Sequence, residues 1–330
     1  MRFLQGLDEQ WLFLEAQKVK ESVFGKKVFI RGVVEFSNYC REDCLYCGLR
    51  RSNRSLSRYR LSETEILDCA LLGIHSGIKT IVLQSGDDLS YGTGKVAKII
   101  RDIRKLGDVV IALSLGERNR DELEIWRESG ADRYLLKMET FDRNLYAIMR
   151  PGKIFEERLK VILNAKELGY ETGSGIIVGL PGQSLHSLAT DILRLTDLKL
   201  EMIAVGPFIP HPDTPLKDAP PGDPLLTIRA IAILRLLNPY ANIPSTTALQ
   251  FFGEEWRIWG LSAGGNVVMP SLTREDVKDL YNIYPGKNKG YNYVTDLLQE
   301  TVEMIRRAGA EPSFEKGYSP RGSYEKSTQK

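Results

Sequence analysis

Eight apolar, β-branched stretches alternate along this chain with segments of helical periodicity. They predict an α/β fold, a complete (β/α)8 TIM-type barrel with an N-terminal helix before it and a C-terminal extension after it. Two further observations carry that expectation. Glycines able to take positive φ stand where helical segments end and strands begin, and no linker rich in Pro, Gly or Ser interrupts the alternation. The 330 residues, 42% of them hydrophobic, suffice to bury a large core in one or two domains.

The elements follow in order. An amphipathic segment from about Glu9 to Ser22 opens the chain, and KVFIRGVVEF is the first strand. KTIVLQS, DVVIALSLG, DRYLLKMET, ETGSGIIVGLP, EMIAVGPFIP, NIPSTTA and NVVMPS supply the other seven. Between them SETEILDCALLGIHSG, KVAKIIRDIRKLG, DELEIWRESG, FEERLKVILNAKELG, SLATDILRLTDL and LLTIRAIAILRLL have helical spacing, with a weaker segment around EEWRIWG. Ser62 with Glu65 has the pattern of a capping box, and Gly77, Gly130 and Gly169 stand at helix-to-strand junctions. Residues 1–310 therefore read as one barrel with terminal helices packed on it. Residues 311–330 are polar and charge-rich, and a mobile tail is expected there.

Three of the four cysteines, Cys40, Cys44 and Cys47, fall in FSNYCREDCLYCGLRR, the loop just after the first strand. Active sites of such barrels collect at the carboxyl ends of the strands, which is where this loop lies. Three thiolates at CxxxCxxC spacing can hold three irons of a cubic cluster and leave the fourth iron open to a substrate or cofactor. A structural zinc site calls for four ligands in spaced pairs, and the nearest histidine, His75, is outside any short spacing. Few cysteines, an opening MRFLQGLDEQ without an apolar signal region and no apolar run of bilayer length point to a reducing cytoplasm rather than to disulfides. Cys69, between apolar residues of a helical segment, reads as core.

A net charge of +2 gives no reason to invoke nucleic acid or membrane. The local run Arg50, Arg51, Arg54, Arg58 and Arg60 reads either as a solvated loop or as attraction for an anionic substrate or electron donor. Polar groups recur at successive strand ends, namely Gln84 to Asp88, Ser114 to Glu117, Glu139-Thr140, Gly173 to Gly175 and Ser245 to Thr247. Tyr46 is placed to pack on an adenine or simply to cover the cluster. His211, in the proline-rich GPFIPHP, reads as structural rather than catalytic.

The cysteine spacing resembles that of the radical S-adenosylmethionine enzymes. The segments VEFSNYCREDCLYCGLRR, YRLSETEI, KTIVLQSGDD, LSLGE, GADRYLLKMET, LGYETGSGIIVGLPGQ, GPFIPHPDTPL, IPSTTA, GGNVVMP and YNIYPGK narrow the resemblance to the FeFe-hydrogenase maturase family HydE, from about Val34 to Lys287. Biotin synthase and methylornithine synthase share the barrel and the spacing but match these segments less well.

The resemblance implies one 4Fe-4S cluster on Cys40, Cys44 and Cys47, S-adenosylmethionine on its open iron, and reductive cleavage to a 5′-deoxyadenosyl radical. It implies further that Tyr46, Gly86, Asp87, Ser114, Glu139 and Arg158 hold that cofactor. Asp87 would meet its ammonium, Glu139 the ribose hydroxyls and Arg158 the carboxylate. Gln84, Ser85, Arg133, Thr246, Thr247, Met269, Tyr281 and Tyr284 would line a reaction cavity. Arg133, if carried into the barrel interior, must either meet a carboxylate of the protein or wait for an anionic substrate.

The implied substrate is a small cysteine-derived or organometallic species. The implied partners are a reduced donor such as ferredoxin or flavodoxin and other hydrogenase maturases. Two departures stand out. PGKNKGYNYVTDLLQETVEMIRRAGAEPSF has no cysteine, so no second thiolate-held cluster is expected, and Met138 stands where the resemblance calls for histidine, which leaves a different substrate open. A radical mutase or sulfur-chemistry enzyme acting on an amino-acid-derived small molecule, as in methylornithine synthase or a divergent HydE-family paralogue, and a non-catalytic iron–sulfur carrier or scaffold remain the alternatives.

Overall fold

The computed structural model of the chain describes residues 1–288 and 294–321. Its elements run α1 (Glu9–Phe24), β1 (Lys27–Ile30), β2 (Gly32–Ser37), α2 (Glu63–His75), β3 (Thr80–Ser85), α3 (Gly92–Leu106), β4 (Val110–Ser114), α4 (Arg120–Glu128) and β5 (Arg133–Leu135). They continue with α5 (Arg143–Met149), α6 (Phe155–Glu167), β6 (Glu171–Val178), α7 (Leu185–Asp197), β7 (Met202–Pro207), α8 (Pro224–Leu237), α9 (Glu254–Ser262), β8 (Val267–Val268), α10 (Glu275–Lys278), α11 (Val294–Arg307) and β9 (Glu311–Ser313).

The expected alternation is present, and β2 to β7 form one parallel sheet in sequence order. Each strand alternates its side chains between the helices outside and the interior, as a sheet with buried faces requires. The round is completed less regularly than the sequence suggests. NIPSTTA joins β7 and β8 only through single bridges, Met202 with Asn242 and Pro244 with Val267, and Ser271 bridges back to Val33 of β2. Short paired lengths here leave Ser245, Thr246 and Thr247 free to bend into the interior rather than extend a ladder.

The first expected strand is two. It breaks at Arg31, where the chain changes partners: β1 pairs with β8 and β9, and β2 pairs with β3. The polar segment from Glu311, expected as a tail, begins as β9, which pairs with Lys27 to Phe29 of β1. Residues 314–321 continue under the amino ends of the strands. There the Gly317 carbonyl accepts from Arg31 Nη2 at 3.1 Å, Arg133 Nη2 at 3.0 Å and Asn242 Nδ2 at 3.0 Å. Gly317 has φ 59°, and a Cβ on it would meet the Phe29 ring at 2.7 Å. Its polarity, read from sequence as a sign of mobility, instead satisfies buried cations. The rest of the predicted tail, from residue 322, lies outside the described residues.

Local capping explains the helix starts that position the site. Ser62 and Glu65 form the predicted reciprocal box at α2, and Asn119 with Glu122 forms a second at α4. The short α5, absent from the sequence reading, is started by Asp142, which accepts from the amides of Asn144 and Leu145. Helix α1 packs Leu12 and Ala16 inward, and its Glu9 pairs with Arg229 of α8. No described helix is long and apolar enough to cross a membrane.

Candidate active site

The loop from Asn38 to Arg60 is held from within. Asn38 accepts from the Tyr59 amide at 2.8 Å and donates to the carbonyls of Ser57 at 2.8 Å and Leu280 at 2.9 Å. The Arg58 guanidinium donates to four carbonyls of the loop, those of Asn38, Leu49, Arg50 and Asn53. Arg50 pairs with Asp43, and Arg60 grips Asp88 at 2.7 and 3.1 Å while covering the Tyr39 ring at 3.6 Å. Arg50 and Arg58 are therefore committed inside the loop and Arg60 ties it to Asp88, while Arg51 and Arg54 stay exposed. The run reads in the structure as scaffolding more than as a docking patch.

The three cysteines are free thiols on the wall of a cavity of about 330 Å3 at the carboxyl ends of the strands. The Asp87 amide donates to Cys40 Sγ at 3.3 Å. Burial and the neighbouring cysteines push Cys40 up to about 11 and Cys47 higher still, so both thiols favour a cationic partner before carrying charge. Tyr46, Gln84, Ser85, Gly86, Asp87, Ser114, Glu139, Arg158, Thr246, Thr247, Met269, Tyr281 and Tyr284 line the same cavity. One enclosure thus gathers every residue singled out for cluster, cofactor and substrate except Arg133.

Arg133 faces inward, as its strand position implied, but at the opposite end of the barrel. Arg133 and Leu135 share one face of β5 by their period of two, with Arg133 at the amino end; the chain beyond it lines the cavity through Leu136, Lys137 and Glu139. It pairs with Glu171 and donates to Thr80 Oγ1 at 3.2 Å and to the Lys316 carbonyl at 2.9 Å. It is a structural arginine of the barrel floor and does not face the cavity. Met138, on the other face, has no exposed surface and packs into the hydrophobic core. Met138 thus contributes nothing to the cavity wall, whereas Lys137, which the sequence reading passed over, lines that wall and pairs with Glu139 at 2.8 Å.

A chain of ion pairs surrounds the cysteine loop. Glu117 meets Arg158 at 2.7 Å, Lys153 at 2.9 Å and Arg150 at 3.0 Å, and Glu42 meets Lys153 at 3.0 Å, Arg150 at 3.5 Å and Arg41 at 3.6 Å. Burial works against the charge of Glu117, yet Arg158, Arg150 and Lys153 outweigh it and hold its carboxyl down to about 2. The Asp87 carboxylate accepts from Arg118, Arg41 and the Glu117 amide. It therefore braces this wall while still lining the cavity. Glu117 was noted only as a polar strand-end group and Glu42, Arg150 and Lys153 not at all, since nothing in their spacing shows that one network joins them.

Glu139 has φ 71°, a left-handed conformation that a non-glycine residue seldom takes. It is held there by its amide donating to the Gly175 carbonyl at 3.0 Å and its carbonyl accepting from the Ile177 amide at 2.9 Å. Asp191, pushed up to about 6 by burial, accepts from Thr140 Oγ1 at 3.1 Å and from the Phe141 amide, which fixes the turn after it. His211 is buried behind the cysteine loop, takes the Asp213 amide on Nδ1 at 3.1 Å, and lines no part of the cavity.

The family description Radical SAM superfamily matches residues 34–195. The chain is 45% identical to the FeFe hydrogenase maturase subunit HydE of Thermotoga maritima over 313 residues, 95% of this chain and 89% of that protein. The chain belongs to the radical SAM superfamily. It is also 31% identical to 3-methylornithine synthase of Methanosarcina acetivorans, over 92% of this chain and 85% of that protein. A crystal structure of methylornithine synthase superposes with a TM-score of 0.80 at 27% identity, over 98% of this chain and 94% of that one.

Radical SAM enzymes use a 4Fe-4S cluster with S-adenosylmethionine, and the residues here fit such a cluster. Three thiols share one cavity wall with an amide aimed at the first sulfur. Among the described residues no three His, Cys, Asp or Glu side chains converge on a single ion, as zinc would need, whereas a cube takes its thiolates on separate irons. The fit depends on a close approach at Gly86. A Cβ there would lie 2.1 Å from the Tyr39 carbonyl oxygen and 2.9 Å from Cys40 Cβ. Gly86→Ala is expected to fold, with an unchanged far-ultraviolet circular dichroism spectrum, while taking up less than about half the iron on anaerobic reconstitution. Full iron loading in that variant would show that the loop can yield.

Proposed function

We propose that this enzyme cleaves S-adenosylmethionine reductively and directs the 5′-deoxyadenosyl radical onto a small anionic sulfur compound, cysteine-derived or an iron-bound thiolate, in assembly of the diiron site of an FeFe-hydrogenase. The observation that carries the reading is the single cavity uniting the cysteine triad with the cofactor and substrate positions, in a chain 45% identical to HydE. When bound, cluster and cofactor supply the chemistry: one electron enters the sulfonium, its bond to C5′ breaks, and methionine and a carbon-centred radical result.

The protein's own residues bind, orient and exclude water. Arg158, fixed by donating to the Lys137 carbonyl at 2.7 Å and to Glu117, is set for the cofactor's carboxylate. Glu139 is set for the ribose hydroxyls, Ser114 is a further polar contact at its strand end, and Tyr46 is placed to cover the adenine. Leu135, Ile177, Ala204 and Phe208 give that region an apolar wall against water. Deeper in, Thr247 and Tyr284 share a hydroxyl–hydroxyl bond, and the buried Glu35 is matched by Lys287, Ser271 and Thr273. Lys137 and Lys287, each paired with one carboxylate, Glu139 and Glu35, line the cavity with further N–H groups for an anionic substrate.

The electron donor would be a reduced ferredoxin or flavodoxin, and other hydrogenase maturases would receive the product, in a cytoplasmic setting without nucleic acid or membrane. The experiment is anaerobic reconstitution, reduction and measurement of 5′-deoxyadenosine with cysteine-derived thiols and thiolate-bound iron species. No 5′-deoxyadenosine with any of them would overturn the proposal and leave a non-catalytic carrier. The 31% identity to 3-methylornithine synthase supports a second reading, a radical mutase on a free amino acid. Consumption of a free amino acid and not of sulfur compounds would select it.

Strain at Glu139 allows a sharper test of the cofactor site. A non-glycine residue in this conformation costs on the order of 1 kcal/mol, and glycine removes that cost. Glu139→Gly is expected to melt no lower than the parent while binding S-adenosylmethionine about tenfold more weakly by calorimetry. Unchanged affinity would remove Glu139 from the site.

A further inference from the structure

Arg150 follows α5 directly and has 2% of its surface exposed, yet two of its nitrogens, Nε and Nη1, are buried without a hydrogen-bond partner among the described residues. Its ion pairs are made through Nη2 alone, to Glu117 at 3.0 Å and Glu42 at 3.5 Å, while the guanidinium lies over the Tyr146 ring at 5.5 Å. Leaving a charged donor unmet in a closed interior costs several kcal/mol, so such a group in a cavity wall marks the place of an anion. The backbone says which anion is nearest. The Leu45 amide donates to the Met149 carbonyl at 2.9 Å, which lays Cys44 and Arg150 side by side, and both line the cavity.

The charge balance points the same way. In the chain of ion pairs around the loop, Arg41, Arg118, Lys137, Arg150, Lys153 and Arg158 face Asp87, Glu42, Glu117 and Glu139, two more cations than carboxylates. A four-iron cube on three thiolates is anionic, and becomes more so when it gains an electron.

We infer that Arg150 is a positioning residue for the cluster: its unmet N–H groups face the sulfur on the Cys44 side and raise the reduction potential by stabilising the extra negative charge. This rests on the proposed function and deepens it. The step it governs is the arrival of one electron from the reduced donor, with no bond broken and no proton moved. Hydrogen bonds to cluster sulfur and nearby charge are among the factors that set such potentials. Arg158 lacks this role because its Nε and Nη1 are already taken by Lys137 and Glu117.

The test uses the reconstituted full chain without S-adenosylmethionine, with the midpoint potential read by dye-mediated titration and electron paramagnetic resonance. Arg150→Gln is expected to hold four irons and to shift the reduction equilibrium about tenfold toward the oxidised form, ~59 mV for one electron. Arg150→Lys, which keeps the charge, is expected to recover at least half of that shift. An unchanged potential in Arg150→Gln overturns the inference, and a loss confined to S-adenosylmethionine affinity would reassign Arg150 to the cofactor's carboxylate. Failure of Arg150→Gln and Arg150→Lys alike to take up iron, with intact circular dichroism, also overturns it, because the cysteines alone are assigned to hold the irons. If the parent itself loads no four-iron cluster, the proposed function fails before this inference is reached.

Discussion

A chain ending at Ala310 is expected to melt roughly 6 °C below one ending at Arg321, from a loss of about 3–5 kcal/mol. The shorter chain lacks β9 and the carbonyls of Lys316 and Gly317. Arg31 and Arg133 are almost wholly buried at the barrel floor, and both donate to the Gly317 carbonyl. Without it Arg133 keeps Glu171 and Thr80, but its Nη2 loses both carbonyls, and Arg31 keeps only a weak contact to Met202 Sδ. Burying a charged donor without a partner is the expensive event, and this eleven-residue segment supplies acceptors to both arginines. Thermal melting of the two apo chains by circular dichroism checks this, with Arg133→Ala in the longer chain expected to fall by a similar amount. A difference below about 2 °C would mean that water or neighbouring carbonyls replace the segment.

That same segment shows where the sequence misleads. EPSFEKGYSP is polar and carries glycine and proline, so composition alone places it outside the core. Its role depends on Arg31 and Arg133, which are remote in sequence and whose need for carbonyl acceptors appears only when the strands are assembled. The strands themselves were legible because β-branched runs between helical segments are a local property, and KTIVLQS and DVVIALSLG became β3 and β4 almost unchanged. NIPSTTA was legible as extended but not as irregular, since pairing by single bridges depends on its neighbours.

The site divides in the same way. Cys40, Cys44 and Cys47 declare themselves by spacing, and Thr246 and Thr247 by lying at a strand end. For Arg133 the alternative of a protein carboxylate or a substrate anion was left open, because nothing in its spacing gives its height along the barrel axis. Parity explains Met138, whose place on the core face makes it irrelevant to the cavity, and it could have singled out Lys137, two residues before Glu139. The ion pairs of Asp87 were not legible because its partners, Arg41 and Arg118, come from two different loops. Long-range ion pairs leave no trace in spacing.

Glu117 joins these loops into one wall, and Glu117→Gln is expected to cost about 3 kcal/mol at neutral pH, the free energy that corresponds to holding a carboxyl at about 2 rather than its usual 4.5. Because the folded value lies below the unfolded one, this contribution is fully present above pH 4.5 and is lost as the pH falls toward 2. The stability gap between parent and variant, measured by urea unfolding, should therefore close across that window and stay constant above it. A gap that persisted unchanged to pH 2 would place the effect in packing rather than charge. The functional consequence follows from the partners. Arg158 would keep its bond to the Lys137 carbonyl but lose the carboxylate that fixes its other end, and Arg150 would lose its nearest anion. Affinity for S-adenosylmethionine should fall by about tenfold while iron content holds, because the cysteines are fixed by Asn38 and Arg58 and not by Glu117. Loss of iron together with affinity would show instead that the wall and the cysteine loop fold as one unit.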